Sequence, residues 1–517
     1  MTRNRAYLLI VLIALVGGVY LRFHDLRAVP AWYPDEGSNI VISADLARGE
    51  LAYMAIGESS FINGHPHLYY LLLAGLFRAF GVDILWARIL SASLGSLSLL
   101  LLFPIFKAIS GKNIAVVSTV LYAFYPGAVS YSRLAFTYNL LTPIYLIVLY
   151  AIHQYLRRRE VKWLMLAAIC GGMAPAVELA GAALPIFVVL VLVIKHPRHV
   201  LVALPVMVLP TLAWGLWMWA WAGEAFLFDL AFTLSRTGAS VPLQIAQAVL
   251  NYYSGLMWDV WFALGSFGLF LLPNRRSRGL VTGFYCCTVL FMSRTVGLGG
   301  LAYYFAIPLH PLISVGIASL LAEGLPAVLR QFETDLHSWL SIRLPNRRWR
   351  SRLVVVLNSG LIFVFLLSPF LTSLYEATSF ESIQTIRLGQ VGIFADPETA
   401  SQATFYVNLR TSEDDVVLTS PTIAWLIEAN AAGFQMAVLA TGQDSYHMPG
   451  NIPASRFRFD PSLANASYVI LDPLWRGWAS GKMDAVAAMV ETIENEWTMD
   501  RQFGEFEVYS NPLTEEE

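Results

Sequence analysis

Tyr7-Leu-Leu-Ile-Val-Leu-Ile-Ala-Leu-Val-Gly-Gly-Val-Tyr-Leu-Arg22 follows the basic start Met1-Thr-Arg-Asn-Arg5 and carries no charge before its last residue. A helix of roughly 17–25 apolar residues crosses the hydrocarbon core of a bilayer, and this run is close to that length. Leu21-Arg-Phe-His offers no small-residue cleavage site, so the run reads as a retained anchor and not as a signal peptide. Similar runs recur to about Ser373 and then stop. Over 517 residues the composition is 56% hydrophobic and 14% charged, which excludes an ordinary soluble enzyme.

The pattern predicts a polytopic α-helical membrane protein of about 11 transmembrane helices. The expected spans lie near residues 7–22, 88–106, 113–131, 140–156, 163–178, 181–194, 200–222, 255–272, 279–294, 301–322 and 353–373. Alternate loops are then basic: Arg3 and Arg5; Lys107 and Lys112; Arg157 to Arg159 with Lys162; Lys195 and Arg198; Arg275, Arg276 and Arg278; and Arg330 to Arg352. The other side holds few, among them Arg133, Arg236 and Arg294. The positive-inside rule therefore puts the N-terminus in the cytoplasm and the tail outside the cell membrane. His67-Leu-Tyr-Tyr-Leu-Leu-Leu-Ala-Gly-Leu-Phe fits no span, because crossing there would invert every later loop. It reads as a re-entrant or interfacial helix within a long first external loop, 23–87. The three cysteines, Cys170, Cys286 and Cys287, fall in apolar runs and form neither a disulfide framework nor a zinc spacing.

Residues 1–374 are thus expected to form the membrane domain and 375–517 a small extracytoplasmic α/β domain. In the latter, Asp415-Val-Val-Leu-Thr and Ser467-Tyr-Val-Ile-Leu-Asp read as buried strands. Thr399 to Arg410, Pro421 to Asn430 and Met483 to Trp497 read as helices, and Gly442 to Pro461 as loop.

Four features carry chemistry. Asp35-Glu36-Gly37, after Trp32-Tyr-Pro, places adjacent carboxylates at a membrane face, suited to a base, a cation or a sugar hydroxyl; the plainer reading is an acidic first helical turn. Asn63-Gly-His65-Pro-His67-Leu-Tyr69-Tyr70 gathers two histidines and two tyrosines around a proline, able to bind phosphate or a divalent metal, or simply to pack at the interface. Arg133, Arg236 and Arg294 on the outer side offer planar guanidinium forks for a lipid phosphate, or snorkel. Glu178, between two apolar runs, is an acid at membrane depth or in a loop.

Taken in order, Pro34-Asp-Glu-Gly37, Gly64-His-Pro-His-Leu-Tyr-Tyr70, Ala87-Arg-Ile-Leu-Ser-Ala92, Ser132-Arg-Leu-Ala135 and Tyr304-Phe-Ala-Ile-Pro-Leu-His-Pro311 resemble the C-type glycosyltransferase superfamily. Within it they are similar to bacterial relatives of the family 39 protein O-mannosyltransferases and the lipid A aminoarabinose transferases. The resemblance implies transfer of a hexosyl or pentosyl group from a polyprenyl-phosphate donor to a protein, lipid or cell-envelope glycan acceptor at the outer face. It implies Asp35 as the carboxylate that orients or deprotonates the acceptor, with Glu36 in support. Arg133, Arg236 and Arg294 would hold the donor phosphate, with His65, His67, Tyr69, Glu178 and Tyr304 as further substrate contacts. Donor, acceptor and membrane lipid are the expected partners, with no nucleic acid, and a divalent metal is left open. The sequence departs from the family at Gly64-His65, where relatives carry an acid and a base, at Phe136-Thr-Tyr-Asn139, which lacks a frequent aspartate, and at Glu178, where lysine is common. A transporter or flippase of a lipid-linked glycan is the alternative, as is an inactive scaffold. Polar residues clustered at one face, without internal repeats, favour catalysis.

Overall fold

In lipid, backbone groups must find their partners within the chain, so long apolar runs become helices. The computed structural model describes residues 3–236, 246, 247, 250, 260–296, 303–324, 356, 360, 367, 371–375, 393–445 and 447–512. Its first ten helices are α1 (Arg3–Phe23), α2 (Pro34–Arg48), α3 (Leu68–Phe80), α4 (Ile84–Ile109), α5 (Lys112–Phe124), α6 (Pro126–Tyr131), α7 (Tyr138–Arg158), α8 (Val161–Val177), α9 (Ala183–Lys195) and α10 (Val200–Arg236). Then follow α11 (Val260–Gly268), α12 (Arg275–Val296) and α13 (His310–Ser319).

Among the described residues, five helices are long and apolar enough to cross a membrane: Arg5–Phe23, Ile84–Ile109, Tyr138–Arg158, Pro197–Ser235 and Tyr304–Glu323. Other expected spans are apolar but shorter as helices, including α5, α8 and Val260–Leu271. The expected span at 353–373 lies almost wholly outside the described residues. The run expected at 113–131 is broken, because Tyr125 is extended and Pro126 starts a new helix. The helix beginning at Val200 turns sharply at Gly223, whose φ of 53° and ψ of −126° are non-helical, one residue past the expected end of that span. α3, expected as a short interfacial helix, has 13 residues and buries Tyr69, Tyr70, Leu73, Ala74 and Phe77 on one face.

Small residues let helix backbones meet. A Cβ on Gly268 would stand 1.9 Å from the Gly316 carbonyl oxygen, so α11 and α13 cross with their main chains in contact. α7 packs on α8 and α4, and α8 on α10.

Near the C-terminus the strands are β1 (Val416–Leu418), β2 (Asn430–Ala432), β3 (Tyr468–Leu471), β4 (Thr498–Phe503) and β5 (Phe506–Ser510), in the order β2-β1-β3-β5-β4. β2, β1 and β3 are parallel, whereas β5 and β4 join as an antiparallel hairpin turned at Gly504, φ 57°. Both expected strands are present. The helix expected from Pro421 to Asn430 is corrected: it stops at Ala424, and Asn430–Ala432 instead pairs with the buried strand β1, which supplies backbone partners that a helix end would lack. The hairpin is additional to the expected elements, since β4 is an exposed, polar edge strand with no apolar alternation.

This C-terminal part lies on the start of α2. Trp32 and Ala395 exchange both backbone hydrogen bonds at 2.9 Å, and Trp32 and Trp425 rings meet at 5.2 Å. A Cβ on Gly37 would sit 1.9 Å from the Pro421 carbonyl oxygen. Gly37 is therefore required by this close approach, directly beside Asp35 and Glu36.

Candidate active site

Pro34 begins α2 after the extended Tyr33, a favourable first helical position for a residue without an N–H. Asp35 and Glu36 follow in the first turn, where the helix dipole favours negative charge. One turn of a helix sends adjacent side chains in different directions, and the two carboxylates have opposite surroundings.

Glu36 is completely buried. Arg88 grips it with both edges of its guanidinium, Nε donating to Oε1 at 2.9 Å and Nη2 to Oε2 at 2.6 Å. The Ala135 amide donates to Oε1 at 3.0 Å. Arg88 spends its remaining donors on the carbonyl oxygens of Leu26, Pro30 and Ala31 at 3.0, 2.7 and 3.2 Å. Arg133, also buried, does likewise for Leu21, His24 and Val29 at 2.9, 2.8 and 2.7 Å. Two arginines thus pin the segment leading from α1 into α2, and three of the sequence motifs converge on Glu36. The expectation that Arg133 faces a lipid phosphate does not match this placement. A guanidinium presents five donors in a fixed fork, and buried carbonyls compete for them as well as phosphate oxygens do.

Asp35 is only partly buried. The Tyr304 hydroxyl hydrogen-bonds its carboxylate, and Tyr304 stacks on Phe136 at 4.9 Å. Burial first, and the neighbouring Asp35 charge as a further cause, hold the Tyr33 phenol well above its usual range. Burial likewise pushes Tyr53 up to about 12, against the Ser38 hydroxyl bonded to it at 2.9 Å and with the Asp35 charge adding to the rise. These phenols are neutral donors at any ordinary pH. Asp35 therefore stands in a cup of neutral tyrosines that can donate to it and to a polar substrate.

Tyr70 and Tyr304 both lie within electrostatic reach of Glu178 as well as of Asp35. Glu178 is buried and hydrogen-bonds His65 Nδ1 at 2.7 Å, while the Thr137 hydroxyl donates to the same oxygen at 3.0 Å. Thr137 belongs to the stretch that departs from the family. Two of the three departures, His65 and Glu178, are thus each other's partners, an ordinary carboxylate–histidine pair with the imidazole partly exposed.

His67 does not join them. It is fully buried, hydrogen-bonded to Ser60 Oγ at 2.7 Å and accepting from Trp214 Nε1 at 3.4 Å, and burial pushes its pKa down to about 3. Proline and the start of α3 turn the two histidines toward different partners, so the expectation of one shared site is not met. Tyr69 is equally buried, bonded to Ser91 Oγ at 2.9 Å. The side chains of Arg236 and Arg294 lie outside the described residues. Among the described residues, no three His, Cys, Asp or Glu side chains converge as a metal site.

Sequence reading gave Arg88 no role. Its signal was a lone charge in the first turn of an apolar helix, within a motif already singled out. Asn39, which accepts from the Tyr70 hydroxyl at 2.9 Å and donates to the Ala135 carbonyl at 2.7 Å, carried no such signal.

Residues 64–222 match the family model of dolichyl-phosphate-mannose-protein mannosyltransferases. The chain is similar in fold to a crystal structure of ArnT from Cupriavidus metallidurans bound to undecaprenyl phosphate, at 15% identity and a TM-score of 0.61, covering 99% of this chain and 98% of that one. The apo state of the same protein aligns at 14% identity and the same TM-score, covering 99% of each chain. The Archaeoglobus fulgidus oligosaccharyltransferase in complex with zinc and sulfate aligns at 14% identity and a TM-score of 0.52, covering 97% of this chain and 73% of that one. No curated protein matches by sequence. Residues 64–222 thus match that family model, and along nearly its whole length the chain shares the fold of ArnT.

Proposed function

We propose that this protein transfers a sugar from a polyprenyl-phosphate donor to a protein, lipid or cell-envelope glycan acceptor at the outer face of the cell membrane. The observation that carries the reading is the division of labour between Asp35 and Glu36. Glu36 is consumed by Arg88 and Ala135, whereas Asp35 remains partly exposed within a ring of neutral phenols.

In this reading Asp35 accepts the proton of an acceptor hydroxyl as its oxygen bonds to the anomeric carbon. The bond from that carbon to the phosphate oxygen breaks, and polyprenyl phosphate leaves with the electron pair. Tyr304 holds the carboxylate in orientation, and Glu36 positions Asp35 through the pinned start of α2. Arg236 and Arg294 are the cations proposed for the phosphate, and His65, held by Glu178, is a further substrate contact. Residues 1–374 would be the membrane domain and 375–517 an extracytoplasmic domain that covers the site from outside. The ArnT structure bound to undecaprenyl phosphate supports the donor class for this fold.

The test is to incubate purified protein with a panel of polyprenyl-phosphate sugars and acceptors and read products by mass spectrometry. Asp35→Asn should lower turnover by about 10²–10⁴-fold while donor binding persists. Near-normal turnover in folded, donor-bound Asp35→Asn would sink the assignment, and donor moved across the bilayer without transfer would point to a flippase.

A further inference from the structure

A cavity of about 620 Å³ lies just past the C-terminal end of α2. That is within the range of small-molecule sites. Three separate parts of the chain wall it: the end of α2 with the following Gly49–Glu58 stretch, the kink of α10 at Trp221–Ala225, and Ser455–Arg458 from the C-terminal part. α2 runs from Pro34 to Arg48, so at 1.5 Å per residue Gly49, at the edge of the cavity, stands roughly 20 Å along the helix from Asp35.

The walls are built. Arg456 is buried beneath the cavity, donating to both Asp229 oxygens at 2.6 and 3.1 Å and to the Gly57 carbonyl at 3.2 Å, which locks the three parts together. Arg458 is tied to Glu50 at 2.9 Å. Glu58, on the wall and not a glycine, holds left-handed backbone at φ 66°. Strain of this kind, about 1–3 kcal/mol, persists only where the surroundings impose it and concentrates at binding sites.

The lining chemistry selects the ligand. Glu50, Glu58 and Glu224 are exposed carboxylates on the wall, while both arginines already have acidic partners. A phosphate or other anion is therefore disfavoured. Trp221, 44% exposed, and Phe457 offer flat apolar faces beside these acids. Carboxylates that accept paired hydroxyls, next to aromatic faces that take C–H-rich surfaces, form a site for a neutral sugar chain. The geometry points to this cavity as a remote subsite for a neutral oligosaccharide, gripping the acceptor glycan several units from the transferred sugar. The assignment of an acceptor rests on the glycosyltransferase reading; the binding of sugar to this cavity does not.

Binding is measured on the full chain in detergent by saturation-transfer difference NMR, with mannotriose, galactotriose and arabinotriose as probes. At least one should bind, and Trp221→Ala and Glu224→Gln, both surface changes that open no core cavity, should each weaken it about tenfold, the worth of one lost hydrogen bond to a charged group or one aromatic contact. Asp35→Asn should bind the same trisaccharide as the unaltered protein, whatever its turnover. Binding that Asp35→Asn abolishes would place the sugar at the Asp35 cup and overturn the proposal. No binding by any probe, or binding indifferent to both cavity variants, would overturn it too. Choline binding that displaces the trisaccharide, or occurs in its stead, would make the cavity a cation site.

Discussion

Removing Arg88 should unfold the start of α2, because it strands a buried charge. Glu36 and Arg88 both have side chains that are 0% exposed, joined at 2.6 Å. Truncating one member of such a pair costs about 3–5 kcal/mol, since the other charge remains in a medium that cannot solvate it. In Arg88→Met the Ala135 amide is left as the remaining hydrogen-bond donor to Glu36 shown here, and the carbonyls of Leu26, Pro30 and Ala31 lose theirs as well, so the cost should reach at least that range. Glu36→Gln keeps the shape and one acceptor, and should cost less, about 2–3 kcal/mol, the worth of a charge-assisted hydrogen bond. Glu36→Leu with Arg88→Met together should recover part of the loss, because no unpaired charge is then buried. Thermal unfolding in detergent, with turnover measured per folded molecule, reads both quantities. Asp35→Asn should do the reverse, leaving the melting temperature within a degree or two on the order of a surface change while abolishing most turnover. If Glu36→Gln melts like the unaltered protein and yet loses turnover per folded molecule, Glu36 is the reacting carboxylate and the division argued here is wrong.

Arg133→Met should destabilise the protein by several kcal/mol, at about 1–3 kcal/mol per buried carbonyl left without a donor; a folded variant with only weakened donor affinity would return Arg133 to the phosphate. Gly37→Ala forces a methyl against the Pro421 carbonyl and should cost about 1–3 kcal/mol, seen as faster proteolysis within 393–430. An unchanged cleavage pattern would mean that this approach is not tight in solution. Burial raises Asp472 to about 6, against its hydrogen bonds from Ser420 and Trp475. The fold thus favours its neutral form, and the stability this gives is complete below the unfolded value near 4 and is lost as pH rises through about 6, by up to ~3 kcal/mol. Melting temperature should fall between about pH 4 and 6 and fall less in Asp472→Asn; equal slopes would refute the linkage. In a background lacking the native cysteines, Ser401→Cys should be labelled from outside intact cells, and Arg276→Cys only after permeabilisation. The opposite pattern would invert the proposed topology.

The membrane class was legible in the sequence because lipid leaves the backbone so few options. An apolar run such as Tyr7–Leu21 has to be a helix wherever it packs. The two strands at Val416–Leu418 and Tyr468–Leu471 were legible for a related reason, since short apolar, β-branched runs in a polar context must be buried. Asp35-Glu36 could be recognised as a pair worth attention, but not divided: adjacent carboxylates look alike until a partner 52 residues away claims one of them. The same holds for His65 and Glu178, 113 residues apart, which were two separate departures in the sequence and are one hydrogen-bonded pair in the fold. Arg133 illustrates the limit most clearly. The family resemblance implied a phosphate-facing position for it, and the tertiary structure gives it three carbonyl oxygens. Local sequence sets what a side chain can donate or accept; which partner receives it depends on long-range packing, because a buried polar group takes whichever partner the fold brings within reach.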